Sequence, residues 1–349
     1  MGAFDAIRSL RIGLANPVHI RTWSSGEVTK AETIHYRTQK PVKDGLFCEV
    51  IFGPTRDWSC ACGKYRHKRQ PGFRCERCGV ELAPATVRRE RMGHIQLATP
   101  IVHPWYVQDR TLSLLLDLSP WELSALLAYQ RYLVLQIDEE RRRLLLHLAP
   151  DRHASPDWAM CQQFATLNVG DLVEVGQYHA FAQLFPETFE AKTGAEAVQQ
   201  LLHTLDLDAL AEQIQEEIAG GELGENEQKK AIRRLQVVTA FQTSGQHPEW
   251  MILPVIPVLP PELRPLLALD TGRIASSDVN ELYARVLHRN TRITRFLEQG
   301  APEIILNNER RMLQEACQAL FDNAHAKKKT TDSRRRPLKS LTDVLQGKQ

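Results

Sequence analysis

Four of the chain's seven cysteines lie within the stretch CACGKYRHKRQPGFRCERCG, residues 60–79. Cys60-x-Cys62 and Cys75-x-x-Cys78 form two close pairs separated by twelve residues. Structural zinc takes four soft ligands in a tetrahedron, and two short turns can each present two thiolates. A glycine follows each pair and provides the backbone freedom that such turns need. The spacing therefore predicts one structural Zn²⁺ ion, bound by all four cysteines.

A thioredoxin-like redox pair and four unrelated buried thiols are the alternatives for these cysteines. A redox pair opens a helix among apolar neighbours, whereas Cys75 and Cys78 lie in a charged segment; the tighter first pair fits a generic zinc motif less well. Four cysteines leave no open position for catalysis at the metal. Nearby His67 and His94 are expected to be surface or packing residues. The remaining cysteines are expected in the core: Cys48, Cys161 and Cys317.

Length and composition favour a folded, soluble protein of two or three units. The chain has 349 residues, of which 43% are hydrophobic and 25% charged, as in ordinary globular proteins. No apolar run approaches the length of a membrane span, and the first residues lack a secretory signal. An odd number of cysteines argues against a disulfide framework. We therefore expect a cytoplasmic protein with reduced thiols and no membrane partner.

Charge is distributed unevenly along the chain. Residues 56–94 contain ten Lys and Arg against four Asp and Glu, and residues 327–349 contain eight against two. Residues 135–230 contain seven against eighteen. Two basic regions flanking an acidic middle suggest a polyanionic partner, although charge runs alone are more often solvated surfaces.

The pattern of apolar residues predicts an α+β, mostly helical protein. Residues 1–106 indicate short strands and loops around the cysteine knuckle (about 58–80). Residues 107–243 show mainly helical periodicity, and five prolines enforce extended backbone within 252–265. The leucines and valine assigned to helices are Leu123, Leu126, Leu127 and Leu133, then Val198, Leu201, Leu202 and Leu205.

Residues 278–323 predict two helices that turn back on each other. Gly300 suits a left-handed helix end, and Pro302 suits the start of the next helix. The charged outer faces, which include Arg289 and Glu309, favour an exposed hairpin that presents polar surface to a protein partner over a buried one. One apolar stripe comprises Leu282, Val286, Ile293, Phe296 and Leu297, and the other comprises Ile305, Met312, Ala316 and Leu320.

Long segments around these features match one known protein family, and they follow one another along the chain in the same order as in that family. They are ETIHYRT (32–38), DGLFCEVIFGP (44–54), VRRERMGHIQLATPIVHPWY (87–106), HPEWMILPVIPVLPPELRPLLALDTGR (247–273), SSDVNELYARVLHRNTRITRFLEQGAPEIILNNERRMLQEACQALFDN (276–323) and RPLKSLTDVLQGKQ (336–349). Together with the cysteine spacing, they closely resemble the N-terminal zinc-binding region of the beta-prime subunit of bacterial DNA-dependent RNA polymerase. This enzyme complex is a nucleotidyltransferase.

The resemblance implies five regions of the polymerase clamp. They are an N-terminal clamp region with a zinc-ribbon-like knuckle (1–106), a helical insert (107–243), a Pro-rich segment with a lid loop (244–276), an antiparallel coiled-coil hairpin of clamp helices (277–323), and a rudder with the start of a switch segment (324–349). Within the lid, Leu266, Leu267 and Leu269 would form an apolar wedge, and Gly272 would give it an adaptable backbone.

The same resemblance implies partners and contact residues. Sigma factor would dock at Arg289, Glu309 and Ala316. DNA template and nascent RNA would be held through phosphates, because the basic tail lacks aromatic residues for base stacking; that tail could equally be disordered in isolation. The other partners would be the beta, alpha-dimer and omega subunits, in the cytoplasm at the nucleoid. The implied nucleic-acid contacts are Lys64, Arg66, Lys68, Arg69, Arg334, Arg335, Arg336, Lys339 and Lys348.

One departure from the family bears on catalysis. The aspartate-rich loop that holds catalytic Mg²⁺ does not occur, and the nearest imitation, Leu205–Asp208, predicts a helix with exposed acids. We therefore expect a non-catalytic fragment, split-gene product or truncated form of the subunit, with Mg²⁺ bound only by the complete subunit. A free-standing zinc-ribbon protein that binds sigma or nucleic acid is the alternative. A hydrolase finds no support, because no catalytic triad or HExxH motif is present.

Overall fold

A computed structural model describes residues 12–148, 156–221, 223–268, 274–326 and 328–346. The α-helices are α1 (Pro17–Trp23), α2 (Glu49–Phe52), α3 (Pro104–Gln108), α4 (Thr111–Leu115), α5 (Pro120–Leu127), α6 (Glu139–Leu148), α7 (Pro156–Ala165), α8 (Val175–Leu184), α9 (Gly194–Thr204), α10 (Leu207–Ala219), α11 (Glu225–Ser244), α12 (Asp278–Glu298), α13 (Glu303–Phe321) and α14 (Leu341–Gln346). The strands are β1 (Ser24–Glu27), β2 (Met92–Val102), β3 (Arg131–Ile137), β4 (Leu172–Glu174), β5 (Phe189–Lys192), β6 (Ile252–Val258), β7 (Leu266–Ala268) and β8 (Ile274–Ser276). The protein is thus a mixture of helices and small sheets. Among the described residues, no helix combines the length and apolar character that crossing a bilayer requires.

Strand β2 is the centre of the sheet β1-β2-β6. It pairs in parallel with β1 and antiparallel with β6, which brings residues 92–102 beside residues 252–258. Strand β6 lies inside the five-proline segment, and short 3₁₀ turns flank it at Pro248–Met251 and Pro261–Leu263. The sheet therefore joins the N-terminal region directly to the segment that precedes the last two long helices.

The ladder between β2 and β6 is interrupted between Gln96 and Ile101. On α12, the amide of Asn290 accepts from Ala98 N–H at 2.7 Å and donates to the Gln96 carbonyl at 2.8 Å. On α13, the amide of Gln314 accepts from Val102 N–H at 2.9 Å and donates to the Val102 carbonyl at 2.7 Å. Backbone groups away from water need such partners, so two side chains attach the helical pair to β2, one beside the interruption and one at Val102, where the strand ends.

Helices α12 and α13 pack against each other across the link of residues 299–302. Gly300 has a φ of 61°, so the left-handed end expected there is present. The buried face of α13 differs from the expected stripe: Leu313 and Cys317 are buried with Leu320, whereas Ile305 is 43% exposed. The expected stripe was thus right at Leu320 and wrong at Ile305. Helix α13 packs against β2 as well as against α12, and both contacts decide which of its residues are buried.

The insert contains a sheet that the helical prediction omitted. Strands β4, β3 and β5 form a three-stranded antiparallel sheet. Leu133 lies in β3, because α5 ends at Leu127 and Tyr129 turns the chain with a φ of 59°. Asp206, expected within a helix, instead caps α10 by accepting from the N–H groups of Asp208 and Ala209.

Aromatic residues connect the insert to α13. The rings of Tyr132 and Tyr178 stack with centroids 3.9 Å apart. The Tyr132 hydroxyl donates to Glu303 Oε1 at 3.0 Å and accepts from Asn307 Nδ2 at 3.3 Å. Burial raises the pKa of Tyr132 to about 12, helped by the neighbouring Glu303 carboxylate, so the hydroxyl remains a hydrogen-bond donor. One side of α13 is consequently covered by the insert.

Arg264 is fully buried at the base of the β7–β8 hairpin. Its guanidinium donates to the carbonyls of Leu259 and Leu46 and to Asn280 Oδ1. Burial lowers the pKa of Arg264 to about 10, and carbonyl and aromatic groups replace water around the charge. Of the expected lid residues, Leu266 and Leu267 lie in β7, with Leu267 59% exposed. The other two, Leu269 and Gly272, lie outside the described residues.

The amide attachment predicts a specific stability loss. We expect Asn290→Ala to lower the free energy of unfolding by about 1–3 kcal/mol, because Ala98 N–H and the Gln96 carbonyl lose their partner. Urea unfolding followed by circular dichroism measures this loss. Thr291→Ala, at the exposed next position, is the matched control and should change stability by about 0.5 kcal/mol or less. Equal effects of the two substitutions would contradict the role assigned to Asn290.

Candidate metal centre and charged surfaces

Two tight turns position the four cysteines. In the first turn, Gly63 N–H donates to the Cys60 carbonyl at 3.1 Å; in the second, Gly79 N–H donates to the Cys75 carbonyl at 2.7 Å. Gly63 and Gly79 have φ angles of 75° and 74°. This left-handed conformation favours glycine, so each glycine lets the chain reverse directly after its cysteine pair.

The four sulfur atoms converge on one point. All of them lie within 4.8 Å of one another; Cys62 Sγ is 3.5 Å from Cys60 Sγ and 3.7 Å from Cys75 Sγ. A zinc tetrahedron with Zn–S bonds of about 2.3 Å has sulfur–sulfur edges of about 3.8 Å. The spacing and the all-sulfur donor set therefore fit a soft metal ion with tetrahedral coordination. The residues that could hold it are Cys60, Cys62, Cys75 and Cys78.

Backbone N–H groups surround the sulfurs. Tyr65 N–H donates to Cys60 Sγ at 3.2 Å. Burial would raise the pKa of Cys75, but N–H groups of Cys78 and Arg77 outweigh it and lower that pKa to about 7. Burial dominates at Cys60 and raises the pKa of its thiol. The surroundings thus stabilise the thiolate form, which binds metal, at Cys75, and they favour the neutral thiol at Cys60.

The knuckle has a very small core of its own. Besides Cys60 and Cys75, its fully buried apolar residues are Val80 and Leu82. The rings of Tyr65 and Phe73 cover one side, edge to face with centroids 5.2 Å apart. So little apolar burial favours a segment that needs a further crosslink, and the four thiols are placed where a metal ion could provide it.

The other candidate ligands lie elsewhere. His67 is exposed, and His94 Nδ1 is hydrogen-bonded to Ser24 Oγ at 2.7 Å. Burial lowers the pKa of His94, so it is a packing residue. The remaining cysteines are buried, as expected: Cys48 and Cys317 in the main apolar core, and Cys161 in a smaller core of the insert. Within the described ranges, the four knuckle cysteines are the one cluster that could hold a metal ion.

The basic residues of the knuckle have different surroundings. Lys64 forms an ion pair with Glu76, and this lysine lowers the pKa of Glu76 to about 2. The Lys68 ammonium lies 4.8 Å from the Tyr65 ring centroid. Arg66 and Arg69 are exposed. The charge of Lys64 is therefore largely neutralised, whereas the two arginines present theirs to solvent.

Residues 328–339, in the basic segment near the C-terminus, form a loop that Asn323 holds through hydrogen bonds. The buried amide of Asn323 bonds the backbone of Thr330 and the carbonyl of Leu338. Arg336 pairs with Asp278 at 2.9 Å and with Asp332 at 3.2 Å, so part of its charge is used internally. Arg334, Arg335 and Lys339 are exposed. The remaining expected contact, Lys348, lies outside the described residues.

The three residues implied as sigma contacts on the helical pair differ in exposure. The Arg289 side chain is 36% exposed, but the Glu309 side chain is only 4% exposed. Glu309 was placed wrongly on the exterior: its carboxylate lies between Arg289 and Arg292 of the other helix. Ala316 is partly buried against the main core. Sequence periodicity missed this because a single acidic residue among arginines resembles a solvated surface.

A sequence family covers nearly the whole chain. The model described as RNA polymerase Rpb1, domain 1, matches residues 5–349. The chain belongs to this family. It is 48% identical over 342 residues to the DNA-directed RNA polymerase subunit beta' of Moorella thermoacetica, covering 97% of this chain and 27% of that protein. The corresponding subunit of Symbiobacterium thermophilum is 49% identical over 343 residues, with 98% and 27% covered.

A third relative agrees with these two. The subunit beta' of Lysinibacillus sphaericus is 48% identical over 342 residues, which cover 97% of this chain and 26% of that protein. The chain therefore spans about a quarter of the length of the curated relatives that it matches. Its resemblance to the beta-prime subunit of bacterial RNA polymerase, inferred above from sequence segments, is confirmed.

Two polar residues of the chain were not found by sequence reasoning. Asn290 and Gln314 bond the backbone of β2, and each lies in a helix where a polar residue is normally solvated. Arg292 was expected on the charged outer face together with Arg289, but its pairing with Glu309 was not expected. Its position three residues after Arg289, on the same helix face, was the available signal.

The cysteine geometry predicts metal content. We expect the purified chain to contain one tightly bound Zn²⁺, and Cys75→Ser to lose it and unfold the knuckle, because metal binding supplies folding free energy of about 10 kcal/mol. Elemental analysis and hydrogen exchange of residues 58–82 measure both effects. Cys317→Ala is the control, since it removes a buried thiol elsewhere and should retain the metal. Equal zinc in the two variants would contradict a four-cysteine site.

Proposed function

We propose that the chain is the clamp portion of the beta-prime subunit of a bacterial DNA-directed RNA polymerase and contributes to DNA-templated transcription. The observation that carries the proposal is the family match over residues 5–349, at about half identity to beta-prime subunits. The convergent cysteine site fits the zinc-binding region that the resemblance implies. In this proposal the complex is the nucleotidyltransferase, and the chain itself performs no catalytic step.

The knuckle is the first proposed nucleic-acid contact. A structural Zn²⁺ on its four cysteines would supply the crosslink that fixes the backbone of residues 58–82, and it has no part in chemistry. The exposed guanidinium groups of Arg66 and Arg69 would then meet phosphates at fixed positions. Lys64 and Lys68 contribute less, because Lys64 is paired with Glu76 and the Lys68 ammonium lies over the Tyr65 ring. Such contacts are electrostatic and independent of base sequence.

The β7–β8 hairpin and the loop around residues 328–339 are the further proposed contacts with DNA and RNA. Leu267 and Ile274 are exposed on β7 and β8, at 59% and 42%, which suits an apolar wedge between strands. The exposed Arg334, Arg335 and Lys339 suit phosphates of the hybrid. Lys348 belongs to the same proposal, on the family resemblance alone.

The helical pair α12–α13 is the proposed docking site of sigma factor. It has the features of clamp helices: two long helices with a charged outer side, anchored on a sheet by Asn290 and Gln314. Arg289 provides exposed positive charge, and the small Ala316 allows close approach of a partner helix. Glu309 contributes from within the pair. The partner chains in this proposal are sigma and the beta, alpha and omega subunits, in the cytoplasm at the nucleoid.

Assembly tests the proposal directly. The chain is co-expressed with the alpha, beta and omega subunits and the remaining part of beta-prime from Moorella thermoacetica, a relative 48% identical over the matched region. We expect the chain to co-purify with core enzyme and to restore promoter-dependent transcription in the presence of Mg²⁺. Recovery of the chain alone, together with binding of sigma or DNA, would instead support a free-standing zinc-ribbon protein.

The knuckle surface predicts a change in salt dependence. Replacing both Arg66 and Arg69 by Ala should weaken DNA binding and reduce the slope of log affinity against log salt by about 1 for each lost phosphate contact. Fluorescence anisotropy with duplex DNA at several salt concentrations measures the slope. Lys64→Ala is the matched control and should change the slope less, because Glu76 already neutralises that lysine. A larger effect of Lys64→Ala would contradict the assignment.

A further inference from the structure

The carboxylate of Glu309 is buried inside the helical pair. The residue is 3% exposed, and its two oxygens have separate partners on α12. Oε2 accepts from Arg289 at 3.2 Å, and Oε1 pairs with Arg292 Nε at 3.1 Å. A buried charge without partners is strongly unfavourable, so the two arginines are what allow Glu309 to lie there.

The two arginines face solvent. Their side chains are 36% and 54% exposed for Arg289 and Arg292. Arg289 uses one terminal nitrogen for Glu309, whereas Arg292 uses Nε and lies 5.3 Å from the Phe296 ring centroid. No acceptor in the described part of the chain occupies the other N–H groups of either guanidinium. Two positive charges facing one negative charge leave a net positive charge at this surface.

This arrangement suits an acidic partner. Positions 289 and 292 share one helix face because they are three residues apart. A guanidinium binds a carboxylate through parallel N–H bonds in a fixed geometry. An arginine that is already held on one side loses less conformational freedom when it binds on the other. The pair is thus preorganised for carboxylates that a partner helix or loop presents.

We infer that Glu309 is a positioning residue, which holds Arg289 and Arg292 for carboxylates of the docking partner, and that Arg292 is a further contact residue. The inference rests on the proposed docking of sigma factor. It deepens that proposal, because Glu309 acts through the two arginines and does not touch the partner.

A thermodynamic cycle tests the inference. Affinity of the 349-residue chain for a Moorella thermoacetica sigma factor is measured with E309Q in two backgrounds, wild type and R289A/R292A. In wild type, E309Q should weaken binding by about threefold to tenfold, because the arginines are released. The arginine double variant should lose about a hundredfold. Adding E309Q to it should change affinity by less than about twofold, since no arginine remains to be positioned.

Melting temperatures separate positioning from general damage. The arginine double variant leaves Glu309 buried and unpaired, so adding E309Q should raise its melting temperature while affinity stays low. Arg295→Ala is the matched control, an exposed arginine of the same helix that is not paired with Glu309; it should change affinity by less than about twofold. A loss equal to that of Arg292→Ala would overturn the contact assigned to Arg292.

Two outcomes overturn the role of Glu309. The first is an equal loss of affinity from E309Q in both backgrounds, which would mean that Glu309 contacts the partner directly. The second is unchanged affinity of E309Q in wild type. Failure of the wild-type chain to bind sigma at all would overturn the docking proposal itself, and with it this inference. If the arginine variants weaken binding and E309Q does not, docking at this surface stands and only the role of Glu309 is overturned.

Discussion

The need to pair the backbone of an interrupted strand governs the structure. Strand β2 departs from the β6 ladder between Gln96 and Ile101, and buried N–H and carbonyl groups without partners are costly. The amide of Asn290 provides partners beside the interruption, at Gln96 and Ala98, and the amide of Gln314 provides them at Val102, the last residue of β2. Strand β1 pairs with the start of β2, at Met92 and His94, and farther along β2 the two side-chain amides provide partners instead, so this part of β2 is the attachment point of the helical pair.

The two proposed functional surfaces are stabilised in different ways. The helical pair belongs to a large apolar core shared with β2 and the residues around Cys48, so its outer side can carry exposed arginines. The knuckle lacks a comparable core, and the proposed metal on its four cysteines would provide a crosslink instead. In that proposal, loss of the metal affects the knuckle surface and leaves the helical pair in place on its sheet.

Sequence reasoning predicted the structure correctly at cysteine pairs and at glycines, because each of these residue types has few structural uses in such positions. Two cysteine pairs with a following glycine led to a convergent four-sulfur site, and Gly300 led to a left-handed helix end. It failed where tertiary neighbours decide the outcome. Leu133 continues a helical spacing but pairs as a strand, because Tyr129 turns the chain. Glu309 resembles a solvated acid but is buried by two arginines from another helix, a contact that no local pattern encodes.

Hydrogen exchange at single backbone amides tests most directly whether α12 and α13 are fixed on β2 by side-chain amides. Ala98 N–H donates to the side-chain oxygen of Asn290, and Val102 N–H donates to the side-chain oxygen of Gln314. The account predicts that, in the isolated chain, both amides exchange as slowly as those in the regular part of the β2–β6 ladder. Exchange of either amide at the rate of an unstructured peptide would contradict it.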